Sequence, residues 1–338
     1  MKKIVIIVSL LILTIVLSGC KKTEITCGLG TEIIDGYCVR ASLDEPVDDL
    51  IPEDEVVSDD TKIPDDTIDP IDTVVTNACE TDLSIYEDEL VEYSLVWSDE
   101  FDYEGKLDDS KWEYLIGNGR SYGIPGWGNN ELQYYTDSLN NVKVGNGKLT
   151  ITASTESYNQ FDYTSGRVRT MNNADFKYGV FEVCAKMPVG LGTWPAIWML
   201  PTNSPYGGWP YGGEIDIMEA VGFEHDIVHW NIHTKAHNWG DGISYGDKTY
   251  IRDINDSFHK YAVKWKEDSI QFYVDGILGM TYSPSNMSDP NYWPFDSEFH
   301  LILNIAIGGA WGGQRGIQEG TWETSMEVDY VRVFQERN

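Results

Sequence analysis

Positive charge is scarce in this 338-residue chain. Lys and Arg number 24 against 55 Asp and Glu, a formal charge of −31 at neutral pH. Nucleic acid and anionic membrane surfaces repel such a protein and are poor partners for it. Cysteine is sparse too: there are five, with no Cys-x-x-Cys spacing, and the six histidines form no ligand pattern with them. A zinc site is therefore not indicated. From about Tyr93 onward no segment has the apolar spacing of an amphipathic helix, which points away from helical architectures.

Lys2 and Lys3 precede an apolar run from Ile4 to Leu17, which is too short to span a bilayer comfortably. Leu17-Ser18-Gly19-Cys20 follows, and the whole resembles a bacterial lipoprotein signal over residues 1–19. That resemblance implies cleavage before Cys20, a diacylglycerol on its sulfur and an extracytoplasmic, membrane-anchored protein. Residues 20–42 carry Cys27 and Cys38 around Gly28, Gly30 and Gly36, and these two cysteines could close a small loop. Cys79 and Cys184 would then remain as a pair, by arithmetic only. Residues 43–82 are rich in Asp, Glu, Thr and Val and punctuated by Pro46, Pro52, Pro64 and Pro70. Like charges and proline favour an extended, disordered linker there.

The body, residues 93–336, reads as all-β. Short alternating runs stand out at Lys148–Ala153, Gly179–Met187, Thr193–Leu200, Ile227–His233, Tyr261–Trp265, Ile270–Val274, His300–Ile307 and Glu327–Phe334. Asp275-Gly276, between apolar runs, is a tight-hairpin signal. This pattern predicts a sandwich of two antiparallel sheets. The 12 tryptophans exceed what a core needs, and flat aromatic faces suit the apolar C–H faces of sugar rings.

Residues 212–222 read Gly-Gly-Glu-Ile-Asp-Ile-Met-Glu-Ala-Val-Gly. Acid and apolar residues alternate, so Glu214 and Asp216 share an open face while Ile215 and Ile217 point inward. A regular strand would drive Glu219 into the core. One extra residue, a β-bulge around Ile217–Met218, returns it to the acid face. The segment contains no Lys or Arg, so a purely structural strand gains nothing from three mutually repelling carboxylates. An acid and a nucleophile for cleaving a glycosidic bond would use them. Which glutamate takes which role stays open at this level.

Four segments occur in order: Gly126-Trp127-Gly128-Asn129-Asn130-Glu131-Leu132-Gln133-Tyr134-Tyr135-Thr136, Thr193-Trp194-Pro195-Ala196-Ile197-Trp198-Met199-Leu200, the acidic strand, and Leu303-Asn304-Ile305-Ala306-Ile307-Gly308-Gly309-Ala310-Trp311. Together they resemble glycoside hydrolase family 16, in particular its laminarinase-type endo-1,3-β-glucanases. The resemblance implies a concanavalin-like β-jelly roll of two curved sheets with a concave cleft. It makes Glu214 the nucleophile, Glu219 the acid/base and Asp216 the helper between them, in a retaining hydrolysis of β-1,3-glucan that needs no cofactor. The bulged spacing favours a 1,3-β-glucanase over a mixed-linkage lichenase.

By the same resemblance Trp194, Trp198 and Trp311 are sugar platforms beside the cleft, and Asn130, Glu131 and Arg167 bind sugar hydroxyls. His233 shares the face of Asn231, and would touch the sugar or set a carboxylate's charge. Glu100, Gly147 and Asp329 match positions where relatives often bind a structural Ca2+. Agarase-like or carrageenase-like hydrolysis of marine galactans uses the same scaffold, although sulfated galactans would want a basic cleft. Transglycosylation on similar glucans also fits the resemblance, and so does a non-catalytic, glucan-binding surface lipoprotein. An open cleft works in a monomer.

Overall fold

The structure, a computed structural model, describes residues 31–34, 37–40, 79–87 and 91–337. The signal segment, Cys20, Cys27 and most of the acidic linker lie outside the described residues. Near the N-terminus Thr31–Ile34 pairs antiparallel with Tyr37–Arg40, with Cys38 opposite Ile33.

Every alternating run singled out in the sequence is a strand, shifted at most a few residues at its ends. Among the described residues of the body the strands form two sheets. The first runs, in spatial order, Tyr245–Tyr250, Ile227–His233, Glu214–Glu219, Thr193–Pro201, Phe299–Ile307, Arg167–Arg169 and Glu113–Tyr114. The second runs Ile277–Tyr282, Ile270–Val274, His259–Trp265, Gly179–Lys186, Glu323–Glu336, Lys148–Tyr158, Phe161–Ser165 and Gln133–Tyr135. Tyr93–Asp99 and Val142–Gly145 attach to its long strands. All pairings are antiparallel except that of Gln133–Tyr135 with Phe161–Ser165. The Asp275-Gly276 turn has φ of 50° and 78° at its two residues, as a tight hairpin turn of that type requires.

The sheets stack as a jelly-roll sandwich. Phe299–Ile307 is an inner strand of the first sheet, next to its middle strand, and is buried along its whole length. Leu301, Leu303, Ile305 and Ile307 face the core, where they meet Ile215, Ile217 and Met218 of the acid strand and residues such as Phe181, Val263 and Val331 of the other sheet. The alternate residues, including Asn304, face the concave side. Period-two alternation thus gives one strand two duties, packing below and a cleft floor above.

The packed body starts earlier than Tyr93, and this corrects the linker boundary expected at residue 82. Tyr86 is fully buried and packs edge-to-face on Tyr273 at 5.2 Å. Cys79 is disulfide-bonded to Cys184, with Cα atoms 5.5 Å apart, so the pair reached by arithmetic is the one formed. The bridge closes a loop of 105 residues, and a loop of that length stabilises a fold by about 5 kcal/mol through lost unfolded-state entropy. Glu182, fully buried, explains why the strap must lie there. Its carboxylate accepts from Thr81 Oγ1 at 2.7 Å and Tyr86 Oη at 2.9 Å, and Lys260 Nζ is 3.4 Å away. Without the strap this buried anion would lose two hydrogen bonds, at roughly 1–3 kcal/mol each.

Candidate active site

The acid strand sits between Ile227–His233 and Thr193–Pro201, and both neighbours record its irregularity. Asp216 is opposite Asn231 while Glu219 is opposite His229, so three steps on one strand match two on the other. On the far side Trp198 pairs with Asp216 and Ile197 with Met218, leaving Ile217 as the inserted residue. Ile217 and Met218 are both fully buried, and Glu219 returns to the cleft face as expected. Gly213, which leads into the strand, has φ of 84°, and a Cβ there would lie 2.8 Å from Pro294 and Phe295. A side chain at 213 would push the strand start off its support.

Neighbouring strands supply the partners that the acids lack locally. Glu219 Oε1 accepts a hydrogen bond from Trp194 Nε1 at 2.9 Å, and its Oε2 accepts from Asn231 Nδ2 at 2.6 Å. Asn231 lies over Gly246, where a Cβ would come within 2.2 Å of its side-chain oxygen, so only glycine leaves room for that amide. His233 Nε2 stands 3.2 Å from Asp216 Oδ2 and 3.8 Å from Glu214 Oε1. Asp216 Oδ2 makes no well-aligned hydrogen bond.

Burial holds the Glu214 carboxyl well above the usual carboxylate range, reinforced by repulsion from Asp216 and Glu219 and opposed by His233. Asp216 is raised as well, first by burial and then by Glu219, while a hydrogen bond with Glu214 works the other way. The two behave as a coupled pair with raised proton affinity, and their sharing of a proton belongs to the pair rather than to either residue.

The three predicted tryptophans line this site, each partly exposed. Trp194 and Trp311 meet edge-to-face at 5.4 Å. Trp198 donates its indole N–H to Asn304 Oδ1 at 2.8 Å. Arg167 is buried with its guanidinium between two indoles, 4.4 Å from Trp127 and 4.8 Å from Trp198. Its positive charge acts on Glu131 and Glu214. Glu131 is buried too, and its Oε2 accepts from Gln133 Nε2 at 2.7 Å. Its contribution is to anchor the floor around Arg167, since its oxygens are already engaged. Asn130 is exposed at the rim, with φ of 59°.

Four contributors escaped the sequence reading. Asn231 and Asn304 sit inside segments that alternation had already placed on the right face. Trp127 lies in the quoted Gly-Trp-Gly-Asn-Asn segment. His229, opposite Glu219, approaches Trp311 edge-on at 4.8 Å and pairs with Glu224 at 2.7 Å; burial lowers its proton affinity. Nothing in a lone histidine's sequence context marks it for this role.

Glu100, Gly147 and Asp329 lie on the other sheet and its turns, away from the acids. Both Glu100 oxygens accept from Arg332, at 3.0 and 2.7 Å. Asp329 is exposed, and its carboxyl is raised by partial burial and by the negative charge of Glu100 and Asp102.

The site carries a stability cost with a definite sign. Below the unfolded carboxyl pKa of about 4, Glu214 is neutral in both states and costs nothing. As pH rises from there towards its elevated folded value, the unfolded chain releases a proton that the native site retains, so stability falls. Glu214→Gln should therefore be more stable than the wild type at pH 7, by roughly 1–2 kcal/mol. The gap should shrink to nothing near pH 4 in urea titrations. An equal or lower stability of the variant at pH 7 would contradict the assignment of raised proton affinity.

Residues 129–332 match the profile of glycosyl hydrolases family 16. Over 254 residues the chain is 46% identical to a beta-glucanase of Rhodothermus marinus, covering 73% of this chain and 87% of that protein. The X-ray structure of the laminarinase from the same organism superposes with a TM-score of 0.70 at 45% identity, covering 74% of this chain and all of the other. A mutant of the non-specific endo-β-1,3(4)-glucanase SCLam, which holds 1,3-β-D-cellobiosyl-glucose at its active site, is similar at 42% identity and a TM-score of 0.68, covering 72% of this chain and 95% of that one. The three clustered carboxylates thus sit in a fold and sequence context shared with known glucanases, and the chain belongs to glycosyl hydrolases family 16.

Proposed function

We propose that this glycoside hydrolase is a retaining endo-1,3-β-glucanase of the laminarinase type. The observation that carries the reading is the bulge, which brings Glu214, Asp216 and Glu219 to one cleft face with Glu219 held by Trp194 and Asn231. In the first step Glu219 gives its proton to the glycosidic oxygen, the C1–O bond breaks, and the Glu214 carboxylate forms an ester to C1. The two N–H donors on Glu219 stabilise the anion it becomes. In the second step Glu219 takes a proton from water, the hydroxide attacks C1, and Glu214 leaves as carboxylate with configuration retained.

Asp216 manages the charge of the nucleophile. Asp216 and Glu214 share one proton across their hydrogen bond, and attack uses the arrangement in which Asp216 holds it. Glu214 then keeps the charge that attack requires, with His233 and Arg167 near enough to attract it. The substrate is a neutral β-1,3-glucan such as laminarin. The similarity to glucanases and the chain's strong net negative charge both favour it over a sulfated galactan.

The test is product release from laminarin, with agarose, carrageenan and barley mixed-linkage glucan in parallel. Short β-1,3-oligosaccharides from laminarin are expected, and Glu214→Gln should lower the rate by roughly a thousandfold or more. Cleavage of a galactan but not laminarin would move the substrate. Binding of laminarin without hydrolysis of any polymer would replace the enzyme reading by a glucan-capturing one.

The same proposal places the enzyme outside the cytoplasm as a monomer, lipidated at Cys20 and lifted from the membrane by the acidic linker. The support is the Lys2–Cys20 pattern and the proline-punctuated run of acids. Cys20→Ser should move the protein from the membrane fraction to the soluble fraction; an unchanged distribution would refute lipidation there. A structural calcium near Glu100, Gly147 and Asp329 completes it, supported by the negative charge of Glu100 and Asp102 around Asp329 and opposed by Arg332 and Lys148, which offset part of that charge, and by the grip of Arg332 on Glu100. Millimolar calcium added to chelator-treated protein should raise the melting temperature, and no rise would remove calcium from the proposal.

A further inference from the structure

Two exposed indoles lie beyond the catalytic centre, and neither is explained by packing. The Trp209 ring is 6.0 Å from that of His233, which itself stands against Asp216 and Glu214. The Trp239 ring is a further 6.0 Å on, tilted 37° to that of Trp209. Trp209 is 43% exposed and Trp239 54% exposed. Leaving that much indole in water is unfavourable, and a continuous exposed aromatic surface beside a cleft is characteristic of a binding site.

The loop that carries Trp239 is built to hold it out. Asn238 is buried, and its Oδ1 accepts from Asp241 N–H at 2.9 Å. Its Nδ2 donates to the carbonyls of Thr234 and Lys235, both at 3.2 Å. Lys235 pairs with Asp241 at 2.8 Å, and Gly242, with φ of 72°, closes the turn onto the Trp239 carbonyl. Farther back, Ala236 N–H is bonded to the Asn291 carbonyl at 2.8 Å. A turn ordered in this way before ligand arrives loses little entropy when a ligand binds.

We infer that Trp239, seconded by Trp209, is a sugar-stacking platform that extends the cleft past His233 and makes the enzyme prefer long glucan chains. The occupant is the same polymer that is cut, because the aromatic surface is continuous with the catalytic centre through His233. The indole faces would take the apolar C–H faces of the sugars, while Lys235 and Asp241 lie beside them for hydroxyls. Trp239 touches none of the reacting groups, so its contribution is to affinity and length preference and not to bond breaking.

The inference rests on the glucanase reading, and the experiment separates the two. The full chain and its Trp239→Ala, Trp239→His and Trp239→Phe variants would be assayed on laminarin and on β-1,3-gluco-oligosaccharides of increasing length. Trp239→Ala should raise KM for laminarin about tenfold with kcat within about twofold, a loss of the size expected for one stacking contact. On the shortest oligosaccharide that is cleaved, kcat/KM should not change. Trp239→His should fall between Ala and wild type, and Trp239→Phe should restore most of the affinity. Equal losses on short and long substrates, or an unchanged KM for laminarin in a folded variant, would overturn the platform. Should Trp239→Ala fail to fold, the graded pair Trp239→His and Trp239→Phe decides the question alone. Wild-type protein that leaves laminarin and the oligosaccharides intact would instead sink the glucanase reading itself.

Discussion

A β-strand offers its two faces to alternate residues, and the acid strand departs from that rule once. Ile217 is the departure: with it, Ile215, Ile217 and Met218 all reach the core and Glu214, Asp216 and Glu219 all reach the cleft. Without it, either Glu219 or the apolar residues after Asp216 would be on the wrong side, with a carboxylate buried unpaired or a core left hollow. The jelly roll supplies the frame, but this one residue lets a packed strand carry three carboxylates on its outer face. The consequence spreads to both neighbours, whose registers shift to accommodate it.

Crowding those charges costs stability, and the surrounding residues limit the cost without abolishing it. Hydrogen-bond donors go to Glu219, and histidine goes to Asp216 and Glu214. The asymmetry matches two different tasks. In the proposed mechanism, the group that gains and loses a proton is held by neutral N–H donors, whereas the pair that holds one proton and one charge lies beside an imidazole. Behind them Arg167 lies between Trp127 and Trp198, its charge stacked on flat faces and still felt at Glu214. Structural and catalytic electrostatics are therefore one network. Its members, with Asn304 bonded to Trp198, reach the site from five adjacent strands of the sheet and the turns beyond them.

The opposite sheet shows another use of buried charge. Glu182 is completed by residues of the strap, and the Cys79 disulfide holds that strap in place. Here the buried acid specifies where a segment docks, and that segment is the end of a run otherwise dominated by Asp, Glu and Pro. Composition could not separate the last residues of the linker from the first of the body. The difference lies in Cys79, Thr81 and Tyr86, whose partners are more than ninety positions away in sequence.

Local pattern was enough for the strands, the hairpin at Asp275-Gly276, the bulge and the clustering of the three acids, because each follows from periodicity over a handful of residues. The four ordered segments were enough for the family. Which neighbours would hold Glu219, that Glu131 would be spent on the floor beneath Arg167, and that Trp209 and Trp239 would stand in a row beyond His233 were settled only by register and loop path. Those depend on contacts between strands and loops far apart in the chain, and strand pairing leaves no trace in the local alternation that sequence reading relies on. The sequence by itself determined what chemistry the protein carries; the tertiary structure decided which groups tune it.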